Sequence, residues 1–177
     1  FTENQVFVND IEDTFSKISD INAIKNTDIN SSTIKVTNIV NLSNVIALDS
    51  FTTQGITLSG ISDNHENVQT VYDNHNDKFN FVDSEVIITA NITKEQALKT
   101  LENIENFNLI GDTTFTKVSD EFQKIIDIDS LATQSNGQIS MANAEVQVID
   151  NVGLTEVDAL RDLSLIHISE PTRQFAI

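Results

Sequence analysis

Apolar positions along this chain follow two alternating rhythms, a short extended run and then a helical stripe. The stretch from Val86 to Ile104 shows both. Val86, Ile87 and Ile88 form a β-branched run of the kind that fills a strand buried on both faces. Ala97, Leu98, Leu101 and Ile104 then recur at helical spacing, leaving Lys94, Glu95, Lys99 and Glu102 to water. Between the two, Thr93 can accept from the first free helical N–H groups, and Gln96 can reach back to close a capping box. The unit is strand, turn, capped helix.

The unit recurs. Thr93 leads to Ala97-Leu98, Thr155 to Ala159-Leu160 and Ser43 to Ala47-Leu48, each after an extended run (Val86–Ile88, Val146–Val148, Ile34–Val36). A second anchor alternates with the first: Val8-Asn9-Asp10, Ile61-Ser62-Asp63 and Val118-Ser119-Asp120. Five residues past these Asp lie Phe15, Val68 and Ile125; eight past lie Ile18, Val71 and Ile128. The second anchors stand 53 and 57 residues apart and the first 50 and 62 apart. A double unit of roughly 50–60 residues falls in or near the range of repeat arrays. The spacing predicts double units starting near 8, 61 and 118.

Taken in order, the pattern predicts a strand over 1–8, a helix over 9–26, a strand over 33–38 and a helix over 43–49. A strand over 55–61 and a helix over 64–75 follow. One or two strands occupy 78–89, and strands at 107–110 and 114–118 flank the Gly111-Asp112 turn. A helix over 119–134 and an extended stretch over 138–150, broken near Asn143, complete the pass. Strands alternating with helices favour an α/β fold: a solenoid-like array with a mostly parallel sheet and flanking helices. A compact α+β domain is the alternative. In the array, the last helix lacks a stacking neighbour, so apolar surface is expected near Val157 and Leu160.

Charge changes the picture of partners. With 27 acidic and 10 basic residues the formal charge is −17, which argues against nucleic acid and anionic membranes. No apolar run is long enough to span a bilayer, and the absence of Cys excludes a disulfide scaffold. From Leu163 the text changes character. Leu163 to Arg173 resembles the in-frame translation of a sequencing adapter, and Pro171 within it is the only proline of the chain. Residues 163–177 are therefore set aside as a non-native tail and 1–162 read as an array fragment whose natural chain continues.

Candidate chemistry is sparse. His65 and His75 stand ten residues apart, about 80° round a helix, which does not make a ligand pair; both read as solvated helix-end residues. Asp73 and Asp77, with Asn74 and Asn76, resemble a calcium loop in composition. Lys78 and Ser84, however, stand where an EF-hand needs glycine and bidentate glutamate. Asp73 and Asp77 thus remain weak calcium candidates, with no other cofactor expected. No phosphate loop, nucleophile elbow or triad is legible. Tyr72, Phe79, Phe81, Phe107 and Phe115 read as core.

Strand, Thr-initiated helix with Ala-Leu, then a Val/Ile-Ser-Asp anchor and a second helix resembles the α/β tandem repeats of very large secreted bacterial surface proteins, adhesin-like and RTX-type. The resemblance rests on Thr93–Leu98, Thr155–Leu160, Ile61–Asp63 and Val118–Asp120. It implies a non-enzymatic spacer at the cell surface or outside the cell, whose partners are neighbouring repeats of its own chain. A module binding glycan or protein is the second expectation, and an enzyme domain a remote third.

Overall fold

A computed structural model describes residues 5–163. It is an α/β fold of six strand–helix units. Unit one holds β1 (Val6–Phe7), β2 (Asp10–Asp13) and α1 (Phe15–Ala23); unit two holds β3 (Thr27–Asp28), β4 (Thr33–Val40) and α2 (Leu42–Phe51). Unit three is β5 (Ile56–Asp63) and α3 (His65–His75); unit four is β6 (Phe79–Asn80), β7 (Glu85–Ile92) and α4 (Lys94–Asn106). Unit five is β8 (Thr113–Asp120) and α5 (Phe122–Gln134); unit six is β9 (Ile139–Ser140), β10 (Glu145–Val148) and α6 (Leu154–Asp162). The calcium candidate Asp77 falls in the turn after α3. Nearly all of the adapter-like tail, 164–177, lies outside the described residues.

The main sheet runs β10-β8-β7-β5-β4-β2, with β6 beside β5 and β9 beside β8, while β1 and β3 form a separate pair. Every pairing is parallel. Neighbouring strands are thus neighbours in the chain. Right-handed crossovers between such strands bring every helix to the same face. Burial agrees: in β4, Ile34, Val36 and Val40 are buried while Thr33, Lys35 and Thr37 are exposed. The both-faces reading of residues 86–88 therefore needs correction. Val86 and Ile88 are buried, but Ile87 sits half-exposed on the face that no helix covers.

Odd and even units differ. An odd unit has one eight-residue strand (Ile56–Asp63, Thr113–Asp120); an even unit has a two-residue strand, a turn and a longer strand. Unit one matches the odd pattern once β1 and β2 are taken together. β1 pairs β3 as β5 pairs β6 and β8 pairs β9, and β2 pairs β4 as β5 pairs β7. In the even strands the ladder slips between Val36 and Ile39, and again between Ile88 and Asn91. The hydroxyls of Ser59 and Thr116 take up the carbonyls of Val36 (2.8 Å) and Ile88 (3.0 Å) at these slips.

This register moves two anchors. The counterpart of Asp63 and Asp120 is Asp13, not Asp10, so the first anchor reads Ile11-Glu12-Asp13. Asp13 accepts the Thr14 N–H as Asp63 accepts Asn64 and Asp120 accepts Glu121. Asp10 instead receives the Thr33 hydroxyl on the open face. In α2 the cap is Asn41, reciprocally bonded with Asn44, rather than Ser43; in α6 it is Gly153, whose N–H is taken by Glu156, rather than Thr155. The true inward columns four and seven residues past the cap are then Val45/Ala97/Val157 and Leu48/Thr100/Leu160. Leu98, placed on the stripe from sequence, is 44 % exposed. The Thr93–Gln96 capping box forms as expected.

Two other expectations shift. Residues 107–110 turn rather than extend, with Asn108 at positive φ, and Gly111 follows where a Cβ would stand 2.1 Å from the Ser84 carbonyl oxygen. The first helix begins at Phe15, not residue 9, because residues 10–13 are claimed by the sheet. Leu160 is buried and Val157 half-buried; the bare apolar side chain at that end is Leu154, 87 % exposed. Burying each Ile, Val or Leu on the covered face contributes about 1.5–3 kcal/mol, which is what holds helices to sheet.

Candidate functional site

The most regular polar feature is a row of side-chain oxygens at the C-terminal ends of the strands. The first N–H of a helix is an orphan donor, and in α1, α2, α4 and α5 it is met by the following unit. Phe15 N–H of α1 donates to Asn38 (2.8 Å), and Leu42 N–H of α2 to Asp63 (3.1 Å). Lys94 N–H of α4 donates to Asp120 (3.0 Å), and Phe122 N–H of α5 to Asp150 (2.8 Å). The positive ends of the helices thus face anionic or amide oxygens. Asp63 and Asp120 serve two helices at once, their own and the preceding one. Asp120 is buried, and burial pushes its carboxyl up. The amides of Lys94 and Glu121, with the Lys124 ammonium 3.5 Å away, outweigh this and hold it below the usual carboxylate range.

Helix α3 breaks the row. Register places Ala90 at the slip position that Asn38 and Asp150 occupy, and a methyl group accepts no hydrogen bond. His65, the first residue of α3, is buried rather than solvated as the sequence suggests, and its Nε2 finds no hydrogen-bond partner among the described residues. Burial pulls its pKa below the ordinary histidine value, partly countered by the Glu66 charge and by the Gln96 backbone. The Tyr72 hydroxyl, two turns on, is the other buried group without a partner among the described residues, and burial raises its pKa. Its ring stacks on Phe107 at 5.1 Å and meets Phe81 edge-on at 5.2 Å. The aromatics are core here, as the sequence suggests. His75 ends the same helix beside Asp49, which also pairs with Lys78 (2.8 Å).

Asp73 accepts from Gln69 (2.8 Å) on α3 and is exposed, as is Asp77 in the turn that follows. Among the described residues no group of three or more His, Asp or Glu is placed to hold a metal ion.

The open sheet face carries a second feature, a groove of about 480 Å³ lined by Asp10, Glu12, Thr33, Lys35, Thr57 and Asn80 among others. Most of these polar groups are paired across strands: Lys35 with Glu12 (2.7 Å), and Thr33 with Asp10. At the far edge Lys117 meets Glu145 (3.6 Å) and Ser119 meets Gln147 (3.3 Å). The face is a ladder of opposite charges and hydroxyls rather than an apolar surface.

Sequence reasoning marked Asp63 and Asp120 as anchors ahead of helices but missed their reach to the neighbouring helix. The available signal was the recurrence of Asn38, Asp63, Asp120 and Asp150 just past the apolar runs. The break at Ala90 and the burial of His65 had no signal short of the register.

No protein-family model, curated protein or solved structure matches this chain. Among the described residues no helix is long and apolar enough to cross a membrane.

Proposed function

We propose that this chain is a non-enzymatic spacer, a solenoid-like segment of a long bacterial surface or secreted protein that holds other modules apart. One observation carries the reading. The strands follow chain order across one parallel sheet, and α1, α2, α4 and α5 each donate their first N–H to the next unit, so the design extends unit by unit. Such a stack lengthens by one strand spacing, about 4.8 Å, per unit. Six units span only about 24 Å, close to the length of one eight-residue strand, so the shape of this chain alone does not separate a stack from a closed domain.

Internal duplication does separate them. Repeating residues 64–120 directly after Asp120 adds one double unit at a seam where Asp63 and Asp120 are equivalent. A spacer folds with two added strands and gains about 10 Å in maximum dimension by small-angle scattering. Loss of cooperative folding, or a particle of unchanged length, sinks the proposal.

A second reading, a module binding glycan or protein, is favoured by the groove over Thr33, Lys35 and Thr57. Retention on a glycan array that Lys35→Ala abolishes would move it ahead; no retention leaves the spacer reading in front.

A further inference from the structure

We infer that the two ends of the sheet are complementary halves of the same junction, and that a second copy of this chain docks head to tail, its unit one on unit six. The inference rests on the register and the helix caps and holds whether or not the chain is a spacer.

The alternation carries it first. The described chain begins with an odd unit and ends with an even one, so copy after copy continues the order without a fault. The matching register follows from the internal junctions. Val86 pairs Thr113 and Ile34 pairs Ile56, so Val146 of one copy pairs Val6 of the next, Val148 pairs Val8, and Val152 pairs Ile11 past the slip. Exposure is uneven across these positions: Ile11 and Val146 are already buried and Val8 is half-buried, while Val6 stands open. Val6 is 56 % exposed, whereas its counterparts Ile56 and Thr113 are each at 1 %.

The helix caps carry it second. Asp63 and Asp120 each give one oxygen to their own helix and the other to the preceding helix. Asp13 gives Oδ1 to Thr14 and to Lys17 at 3.3 Å, as Asp120 does to Glu121 and Lys124. Among the described residues its Oδ2 serves no preceding helix. At the other end the first N–H of α6, on Leu154, meets no following carboxylate among the described residues. Donor and acceptor of one device thus stand at opposite ends. Lys17, the counterpart of Lys124, would face the first turn of α6, where Thr155 stands in the place of the Glu95 that Lys124 reaches at 3.7 Å.

The contact is heterologous and does not close, so it grows open-ended. The charge of −17 per copy opposes it, so association strengthens with salt; at about 1 M the screening length falls to ~3 Å.

Sedimentation velocity of the 177-residue chain in high salt tests this, with two variants that leave the fold intact by circular dichroism. Val6→Lys blocks the head at an exposed position. Leu154→Pro removes only the tail N–H, at a first helical position that suits proline, after a Gly153 already extended. The wild type is expected to form a concentration-dependent ladder of sizes. Val6→Lys stays a single copy, and Leu154→Pro associates about tenfold more weakly, the loss of one charge-assisted hydrogen bond. An equimolar mixture of the variants forms chiefly pairs, since the Val6→Lys head is blocked and the Leu154→Pro tail is weakened about tenfold. A wild type that stays single at every concentration overturns the proposal. So does one that stops at two, which would mark a symmetric contact instead.

Discussion

Two helix starts on the same face of this molecule show how much the cap row matters. At α4, Thr93 and Gln96 close a box, and Asp120 from the next unit receives the Lys94 N–H while also accepting the Glu121 N–H just ahead of α5. At α3, Asn64 accepts from Asn67 (2.8 Å), but Ala90 stands where the next unit's acceptor would be. A buried His65 with a bare Nε2 accompanies the gap. The first start gains an acceptor from the next unit and the second does not, and α3 buries Val68, Val71 and Tyr72 where α4 buries Ala97, Thr100, Asn103 and Ile104. The helices are held by packing; the caps decide how firmly each one begins.

The largest effect should come from breaking the sound start. Asp120→Ala removes one acceptor from two helices and leaves a buried site with orphan amides, so a loss of about 3 kcal/mol is expected. Urea denaturation measures it. A loss no greater than that of an exposed Asp→Ala change, such as Asp73→Ala, would show that the row is ornamental. The sign with pH follows. The Asp120 carboxyl is held below its ordinary value, so its contribution is present above the unfolded value near 4 and lost as pH falls through the folded value.

The unsound start titrates at a different place. Burial holds His65 below its ordinary pKa, so the unfolded chain binds the proton first. Stability contributed by the neutral ring is complete above about pH 6.5 and falls as pH drops below that value. Glu66 and Lys99 are the charged groups that act on it, in opposite directions. His65→Leu should flatten the slope of stability between pH 7 and 5 while leaving the Asp120 transition in place. An unchanged slope would mean that the ring is solvated.

Repairing the gap is the converse experiment. Ala90→Asn supplies the amide that Asn38 supplies to α1, and should stabilise by about 1 kcal/mol if the slip in β7 presents it as the slip in β4 does. Paired with His65→Leu, it also asks whether gap and histidine are coupled.

Much of this was legible in the chain. Strand–helix alternation, the parallel sheet, the Thr93 box and the core aromatics all follow from local periodicity and caps. What was not legible depends on register. Asp10 and Asp13 are both acids three residues apart after a Val or Ile, and only the pairing of Asp13 with Val36 decides which one ends the strand. Asn41 and Ser43 are both good caps, and the choice turned on Asn44 reaching back. The one-sided exposure of Ile87 could not be read from an unbroken apolar run, because such a run suits burial on either or both faces. The cross-unit caps join residues more than 20 positions apart and leave no trace in any local window.

The smallest effect concerns the other group without a partner near the unsound start. The Tyr72 hydroxyl is buried with no hydrogen bond, while its ring is gripped by Phe81 and Phe107. Leaving a buried hydroxyl unpaired costs on the order of 1–3 kcal/mol against its solvated state. Tyr72→Phe keeps both ring contacts and deletes the cost, so the variant should match the wild type or exceed it by up to about 1 kcal/mol in urea. A clear loss would mean that the hydroxyl does have a partner, a bound water or an approaching ligand. The neighbourhood of α3 would then be a site rather than a flaw in the row.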